Sequence, residues 1–308
     1  MKCVKDTKEF QFHNTVVALG KFDGLHLGHQ ALLKEVLQYK KNGFTSVIFT
    51  FDVSPRMFFQ KENKFILSKE ERRKQLEKWE IDYMIEYPFT KETASLSPEE
   101  FLKQVLVKQL GAKVIVVGED FRFGYQRSGS VTTLQEYEEK YGYQVKVIEK
   151  QMLREKEISS TLIRDSIEEG NMELAKELLG GYYSFHGEVV HGNHLGSTLL
   201  NMPTANMIPS KDKIIPAYGV YVARVSIQDE VYYGITNVGS KPTVEQDEAV
   251  GIETFLFDFN KDIYGESITV ELLHHVRREQ KFQSLEELKE QMHKDANFGK
   301  NYINSCFS

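Results

Sequence analysis

From Thr15 to about Leu179 the chain alternates short apolar runs with longer stretches in which apolar residues return every three or four positions. The short runs, at 15–19, 46–51, 83–87, 114–117 and 144–148, predict strands, and the stretches between them predict helices. That rhythm belongs to a parallel sheet with helical crossovers. The helices carry their own end signals. Ser97-Pro98-Glu99-Glu100 reads as an N-cap, a proline at the first helical position and a capping-box glutamate, and Gly111 closes the same helix. Ser68 with Glu71 repeats the box, and two short helices around 162–169 and 172–179 end this half at Gly180-Gly181.

After Gly181 the period shortens. Residues 183–190, 220–227, 231–237, 252–259 and 267–272 are strand-like, with no amphipathic helix between them, and predict a β-barrel. One helix follows, capped by Ser284 and running over 285–292. The expected fold is therefore an α/β, Rossmann-like N-terminal domain with a parallel sheet, then a C-terminal β-barrel with a terminal helix, divided as 1–181 and 182–308.

Composition matters mainly for what it excludes. At 308 residues the chain holds two cores of ordinary size, and 41% hydrophobic with 27% charged residues describes an ordered protein. A net charge of -6 argues against a nucleic-acid partner, whose phosphates call for clustered Lys and Arg. No apolar run is long enough for a membrane span, and Met1-Lys2-Cys3-Val4-Lys5-Asp6 lacks the apolar core of a signal peptide, so the cytosol is the expected compartment and no membrane partner is expected. The only cysteines, Cys3 and Cys306, allow neither a disulfide framework nor a cysteine zinc site.

Chemistry gathers in four places. The first predicted strand runs into Gly20-Lys21-Phe22-Asp23-Gly24-Leu25-His26-Leu27-Gly28-His29, followed by a helix with Leu32, Leu33, Val36 and Leu37 on its apolar face. Glycines at a strand-to-helix turn let backbone approach a ligand, and the helix start offers unpaired N–H groups and about half a unit of positive charge, which suits phosphate. His26 and His29, three apart, can face one side and offer protons or hydrogen bonds to it. Zinc is the alternative for a histidine pair, but it needs three or four ligands and no further pair stands nearby. Ile158-Ser159-Ser160-Thr161-Leu162-Ile163-Arg164 places hydroxyls at a helix start and a guanidinium one turn on, fit for a triphosphate or for ordinary capping. Gly118-Glu119-Asp120-Phe121-Arg122-Phe123-Gly124 follows a strand, where parallel sheets bind ligands. In the second half, Thr204 and Asn206 of Pro203-Thr204-Ala205-Asn206 can share a magnesium ion or satisfy a turn, and Glu253 falls on the same strand face as Phe255, Phe257 and Phe259, where a carboxylate is costly without a partner or a function.

These motifs resemble those of prokaryotic bifunctional riboflavin kinase/FMN adenylyltransferases, the FAD synthetases, over residues 14 to 294. The decamer from Gly20 is similar to their G-x-F-D-G-x-H-x-G-H signature, 158–164 to their I-S-S-T-x-I-R element, 118–124 to their flavin-side loop, and Pro203-Thr204-Ala205-Asn206 to the P-T-A-N element of riboflavin kinases. The chain departs at Phe51-Asp52-Val53-Ser54-Pro55, where relatives often have F-D-P-H-P, at Ser130, where they have an acidic residue, and at Phe255, where they usually have histidine. Asn201 stands where they tend to have glycine, and the spacing from Gly196 is one residue longer. The resemblance implies FMN and ATP converted to FAD and pyrophosphate in the first domain, and riboflavin and ATP converted to FMN in the second, with magnesium in both. It makes Glu253 the base for the ribityl hydroxyl, Thr204 and Asn206 metal ligands, and His26 and His29 catalytic. Gly20, Phe22, Asp23, Gly24, Gly28, Ser159, Ser160, Thr161 and Arg164 become nucleotide contacts, and Asp120, Phe121 and Phe123 flavin contacts. Two alternatives stay open: an adenylyltransferase whose barrel only binds flavin, and a flavin sensor without turnover, which would need neither Glu253 nor the histidines. A class I aminoacyl-tRNA synthetase shares an H-x-G-H-type element, but its lysine-rich second motif is absent.

Overall fold

Every residue of the strand Thr15–Leu19 is buried, which requires cover on both faces of its sheet. A computed structural model describing residues 1–60, 64–191, 204–241 and 249–307 shows that cover. By packing, the chain divides into two compact units, Met1–Ser160 and Thr161–Ser308.

The first unit is built on β1 (Lys2–Lys5), β2 (Thr15–Leu19), β3 (Thr45–Phe51), β4 (Tyr83–Tyr87), β5 (Ala112–Gly118) and β8 (Gln144–Ile148), with the short β6 (Arg122–Phe123) and β7 (Gly129–Ser130) between the last two and the short pair β9 (Met152–Leu153) and β10 (Lys156–Glu157) after them. The six strands lie in the order β1-β4-β3-β2-β5-β8 and pair in parallel throughout. Val17 and Leu19 join Phe49, Ile85, Phe101 and Ile115 on one side, while Val16 and Ala18 join Leu33, Val36, Ile48 and Val116 on the other. From β2 the chain adds strands to one side as far as β4, then crosses to place β5 against the opposite edge of β2. The crevice beyond the carboxyl ends of β2 and β5 is thus the topological switch point where such sheets bind ligands. Helix α1 (Leu27–Lys41) follows β2, α2 (Pro55–Gln60) follows β3, and α3 (Lys69–Glu77) precedes β4. Both capping boxes form, Ser68 with Glu71 and Ser97 with Glu100. The helix begun by Pro98–Phe101 continues as π-helix over Leu102–Gln109, and Gly111 follows with φ 56°, where a Cβ would meet the Phe12 carbonyl oxygen at 2.4 Å.

In the second unit, β11 (Ser184–Glu188), β12 (Thr204–Met207), β13 (Gly219–Ile227), β14 (Glu230–Lys241), β15 (Ala249–Leu256) and β16 (Ser267–Arg278) form an antiparallel sheet ordered β11-β16-β13-β14-β15-β12. The two edge strands meet just past β11, where Val190 N–H donates to the Asn206 carbonyl at 2.8 Å and curls the sheet toward a barrel. Several findings differ from the sequence reading. Residues 204–207 form a paired strand, because their backbone is held by β15. The strand expected through Phe259 ends at Leu256, and Asp258 turns out with φ 53°. The terminal helix runs over Leu285–Phe307, well past 292, and Ser284 Oγ accepts from Glu287 N–H at 3.1 Å at its start. Packing also groups Met172–Leu179 with this unit: the helix lies against β16, and Glu173 meets His274 at 2.6 Å. The sequence reading had assigned that helix to the first domain.

Candidate active sites

The turn between β2 and α1 is unusual backbone. Gly24 takes φ 87°, and two non-glycine residues, Phe22 and Leu25, take 51° and 46°. Such conformations persist only where surroundings hold them, and they concentrate at functional sites. Gly20 leaves room for the Phe22 ring, whose Cε2 would sit 3.2 Å from an added Cβ, and Gly28 does the same for the His26 ring at 3.1 Å. Phe22 is fully buried and packs 5.2 Å from His29, so it forms a floor beneath the histidine. Asp23 is buried too. Its Oδ1 accepts from Ile66 N–H at 2.8 Å and its carbonyl accepts from Ser160 Oγ at 3.2 Å, which draws the second motif to the first.

His26 and His29 stack with centroids 3.8 Å apart and planes inclined by 28°. His26 is the N-cap of α1, and its Nδ1 accepts from His29 N–H at 3.4 Å. An accepting Nδ1 puts the proton of a neutral ring on Nε2. Burial lowers His26 from the ordinary imidazole value of 6.5 to about 4. Burial, and then the neighbouring His26, hold His29 well below that ordinary value. Both rings are therefore neutral at pH 7, each with one N–H to donate. His29 Nδ1 is buried without a hydrogen-bond partner among the described residues, an orphan that a bound ligand can satisfy.

Past β5, Phe121 and Phe123 stack at 5.7 Å with planes 17° apart. Phe123 is buried against Phe101, while Asp120 stays exposed. Two glycines shape this loop: a Cβ on Gly124, with φ 72°, would lie 2.8 Å from Pro98, and one on Gly129 would lie 2.8 Å from Phe123. Ser130, the departure from the family acid, caps the helix Val131–Glu136 by accepting from Thr133 N–H at 3.3 Å. Asp52 of the other departing segment accepts from Val53 and Phe89 N–H groups at 2.7 and 2.8 Å and so ties down the end of β3. Thr161 and Arg164 lie on the helix Ser160–Glu168, in the second unit as packing divides the chain.

The barrel gathers a second group. Glu253 on β15 stands in register with Asn206 on β12 and Asn237 on β14, so the three share one face at one level. The opposite face of β15 is core, with Ile252, Thr254 and Leu256 buried. Thr204 Oγ1 donates to Glu253 Oε1 at 2.8 Å, and Asn206 Nδ2 donates to Thr204 Oγ1 at 3.3 Å. Thr204, Asn206 and Glu253, identified separately in the sequence, are thus one cluster. Asn237 is a member the sequence reading missed, since only strand register reveals it. A hydroxyl, an amide and a carboxylate present the hard oxygen donors that suit magnesium. Among the described residues no group of three or more His, Cys, Asp or Glu could hold a metal. The segment from Gly192 to Pro203, with Gly196 and Asn201, lies outside the described residues, as do Pro242 and Thr243.

A glycine-rich strand-to-helix turn at the switch point of a parallel sheet, followed by an antiparallel barrel with an acid on one face, fits a two-part nucleotide-dependent transferase. The family model described as FAD synthetase matches residues 8–162, and that described as riboflavin kinase matches residues 179–303. A protein of Buchnera aphidicola subsp. Schizaphis graminum named bifunctional riboflavin kinase/FMN adenylyltransferase is 38% identical over 298 residues, covering 94% of this chain and 95% of that one. Proteins of the same name from Listeria monocytogenes and Escherichia coli K12 are 35% and 34% identical, covering 94% and 91% of this chain and 92% and 90% of theirs. A Streptococcus pneumoniae crystal structure, named a macrolide-efflux protein, superposes with TM-score 0.86 at 33% identity over 99% of both chains. No helix among the described residues here is long and apolar enough to cross a membrane. The chain belongs to the family of bifunctional riboflavin kinase/FMN adenylyltransferases.

Proposed function

We propose that the chain makes FAD in two steps with separate residues. Riboflavin and ATP give FMN at the Glu253 cluster, assigned to a kinase domain 182–308. FMN and ATP give FAD and pyrophosphate at the Gly20–His29 turn, assigned to an adenylyltransferase domain 1–181. Family membership supports both activities. The observation that carries the residue assignment is the His26–His29 stack at the mouth of the sheet, with its orphaned His29 Nδ1.

In adenylyl transfer a phosphate oxygen of FMN bonds to the α-phosphorus of ATP, and the bond to the bridging oxygen of pyrophosphate breaks. The N–H groups at the start of α1 and the neutral His26 Nε2–H donate to phosphate oxygens as charge shifts to the leaving group. Gly20, Gly24 and Gly28 let that backbone come close, and Phe22 and Asp23 hold it in shape from beneath. The hydroxyls of Ser159, Ser160 and Thr161 and the Arg164 guanidinium are assigned to the triphosphate, and Asp120, Phe121 and Phe123 to the flavin. In the kinase, Glu253 takes the proton of the ribityl 5′-hydroxyl while that oxygen bonds to the γ-phosphorus and ADP leaves. The Thr204 hydroxyl donates to Glu253 and, with one lone pair taken by Asn206 Nδ2–H, would offer the other to a cation, for which Asn206 Oδ1 would be the second oxygen ligand. Magnesium, when bound there, would neutralise phosphate charge. The proposed enzyme is cytoplasmic and without a nucleic-acid partner, the latter supported by a net charge of -6.

The test is incubation of the purified protein with riboflavin and MgATP, separating FMN from FAD by chromatography. Wild type is expected to give both, and His29→Ala to accumulate FMN with FAD formation down at least about a hundredfold. Loss of both products in folded His29→Ala would contradict the division of labour.

A further inference from the structure

Arg72 belongs to none of these motifs, yet only 4% of its side chain is exposed. It lies on α3, and its Nη2 donates to Glu86 Oε1 on β4 at 2.7 Å. Arg73 pairs with the other oxygen of the same carboxylate. Burial alone would raise the Glu86 carboxyl, but the hydrogen bond from Arg73 and the charges of Arg72 and Arg73 outweigh it and leave it lowered, so the pair is ionised. A buried ion pair is weak evidence for stability, since apolar side chains of like volume often do as well. What distinguishes this pair is its other arm: Arg72 Nη1 donates to the carbonyl of Lys21 at 3.3 Å, an oxygen that also accepts from Thr50 Oγ1 at 3.4 Å.

Lys21 stands in the β2–α1 turn, next to Phe22 in its left-handed conformation. The approach to α3 holds the same turn a second time, through Ile66 N–H on Asp23 and the Ile66 side chain, which would lie 3.1 Å from a Cβ on Gly24. The sheet fixes Glu86, which is in register with Thr50 on β3. Arg72 therefore spans from rigid sheet to strained turn, and a planar fork suits that two-way contact better than a point charge. We infer that Arg72, anchored by Glu86, is a positioning residue for adenylyl transfer: it fixes the Lys21 carbonyl and thereby the turn that aims His26 and His29. The inference rests on the reading of that turn as the adenylyl-transfer site.

The test compares the double variant Arg72→Met/Glu86→Leu, which replaces the pair with apolar volume, and Arg72→Lys, which keeps the charge beside Glu86 without the second arm. In the full chain we measure thermal midpoint, riboflavin phosphorylation, and kcat and KM for adenylylation of supplied FMN. Both variants are expected to keep the kinase rate and to lose adenylylation kcat by about ten- to a hundredfold, with KM for ATP changed much less. A purely structural pair predicts instead that activity returns with stability. Wild-type adenylylation kcat in the folded double variant, or in Arg72→Lys if the double variant does not fold, overturns the inference. His29→Ala run alongside separates the two failures. If it too retains FAD formation, the site reading falls; if it alone loses FAD formation, only the role of Arg72 falls.

Discussion

Substituting Glu253 by Gln separates chemistry from architecture. Thr204 Oγ1 donates to Glu253 Oε1 at 2.8 Å, and the glutamine amide offers an acceptor in the same place. The stability at stake is the difference between a hydrogen bond to a charged and to a neutral acceptor, about 1 kcal/mol. In a unit of this size that lowers the melting midpoint by roughly 2–4 °C. Removing a positioned general base costs about 10²- to 10⁴-fold in rate, equivalent to about 3–5 kcal/mol of barrier. Kinase turnover should therefore collapse in a protein that melts almost normally. The assay follows FMN formation from riboflavin and MgATP beside the thermal midpoint, with adenylylation of supplied FMN as an internal control expected to persist. Turnover within about threefold of wild type in the folded variant would remove Glu253 from the mechanism.

Two further outcomes follow from packing and charge. Because burial lowers His26 from 6.5 to about 4, the unfolded chain takes up a proton there before the folded one as pH falls. The associated stability is complete above pH 6.5 and is lost progressively down to about pH 4, amounting to about 3 kcal/mol, with His29 acting in the same direction. Denaturant unfolding of the N-terminal unit across that range should show this slope flattened in His26→Asn, and an unchanged slope would refute the assignment. The helix Met172–Leu179 buries Met172, Ala175, Leu178 and Leu179 within the second unit. A fragment starting at Thr161 should then unfold cooperatively and melt above one starting at Tyr183, and equal midpoints by calorimetry would show that the helix adds nothing to the barrel.

What the sequence made legible was whatever local pattern determines. The runs at β2, β3 and β5 are apolar enough to need cover on both faces, and the capping boxes at Ser68 and Ser97 are written in side chains that act within one turn. Partners far apart in sequence were not legible. Lys2–Lys5 is not among the expected strands and becomes one by pairing with β4. The terminal helix looked finished at 292 because polar residues follow, but Asp295 there is buried by Arg277, whose Nη2 lies 2.8 Å from it. The motif histidines could be named from their spacing; their stacking and neutrality could not, since these depend on Phe22, Gly28 and the burial they create. Asn237 likewise gains its place from strand register alone.

The bridge between Val190 and Asn206 also bears on how this chain accommodates a change of length between them. It joins the chain just before residue 192 to the chain just after residue 203, so the ends of that connection are fixed by the barrel and not by its length. Doubling the length of a tethered loop costs only about 0.6 kcal/mol in closure entropy, and one additional residue far less. The longer spacing after Gly196 is therefore compatible with Thr204, Asn206 and Glu253 in an unchanged arrangement. A change of length between those ends leaves the Val190–Asn206 bridge and the pairing of Thr204–Met207 with β15 where they are.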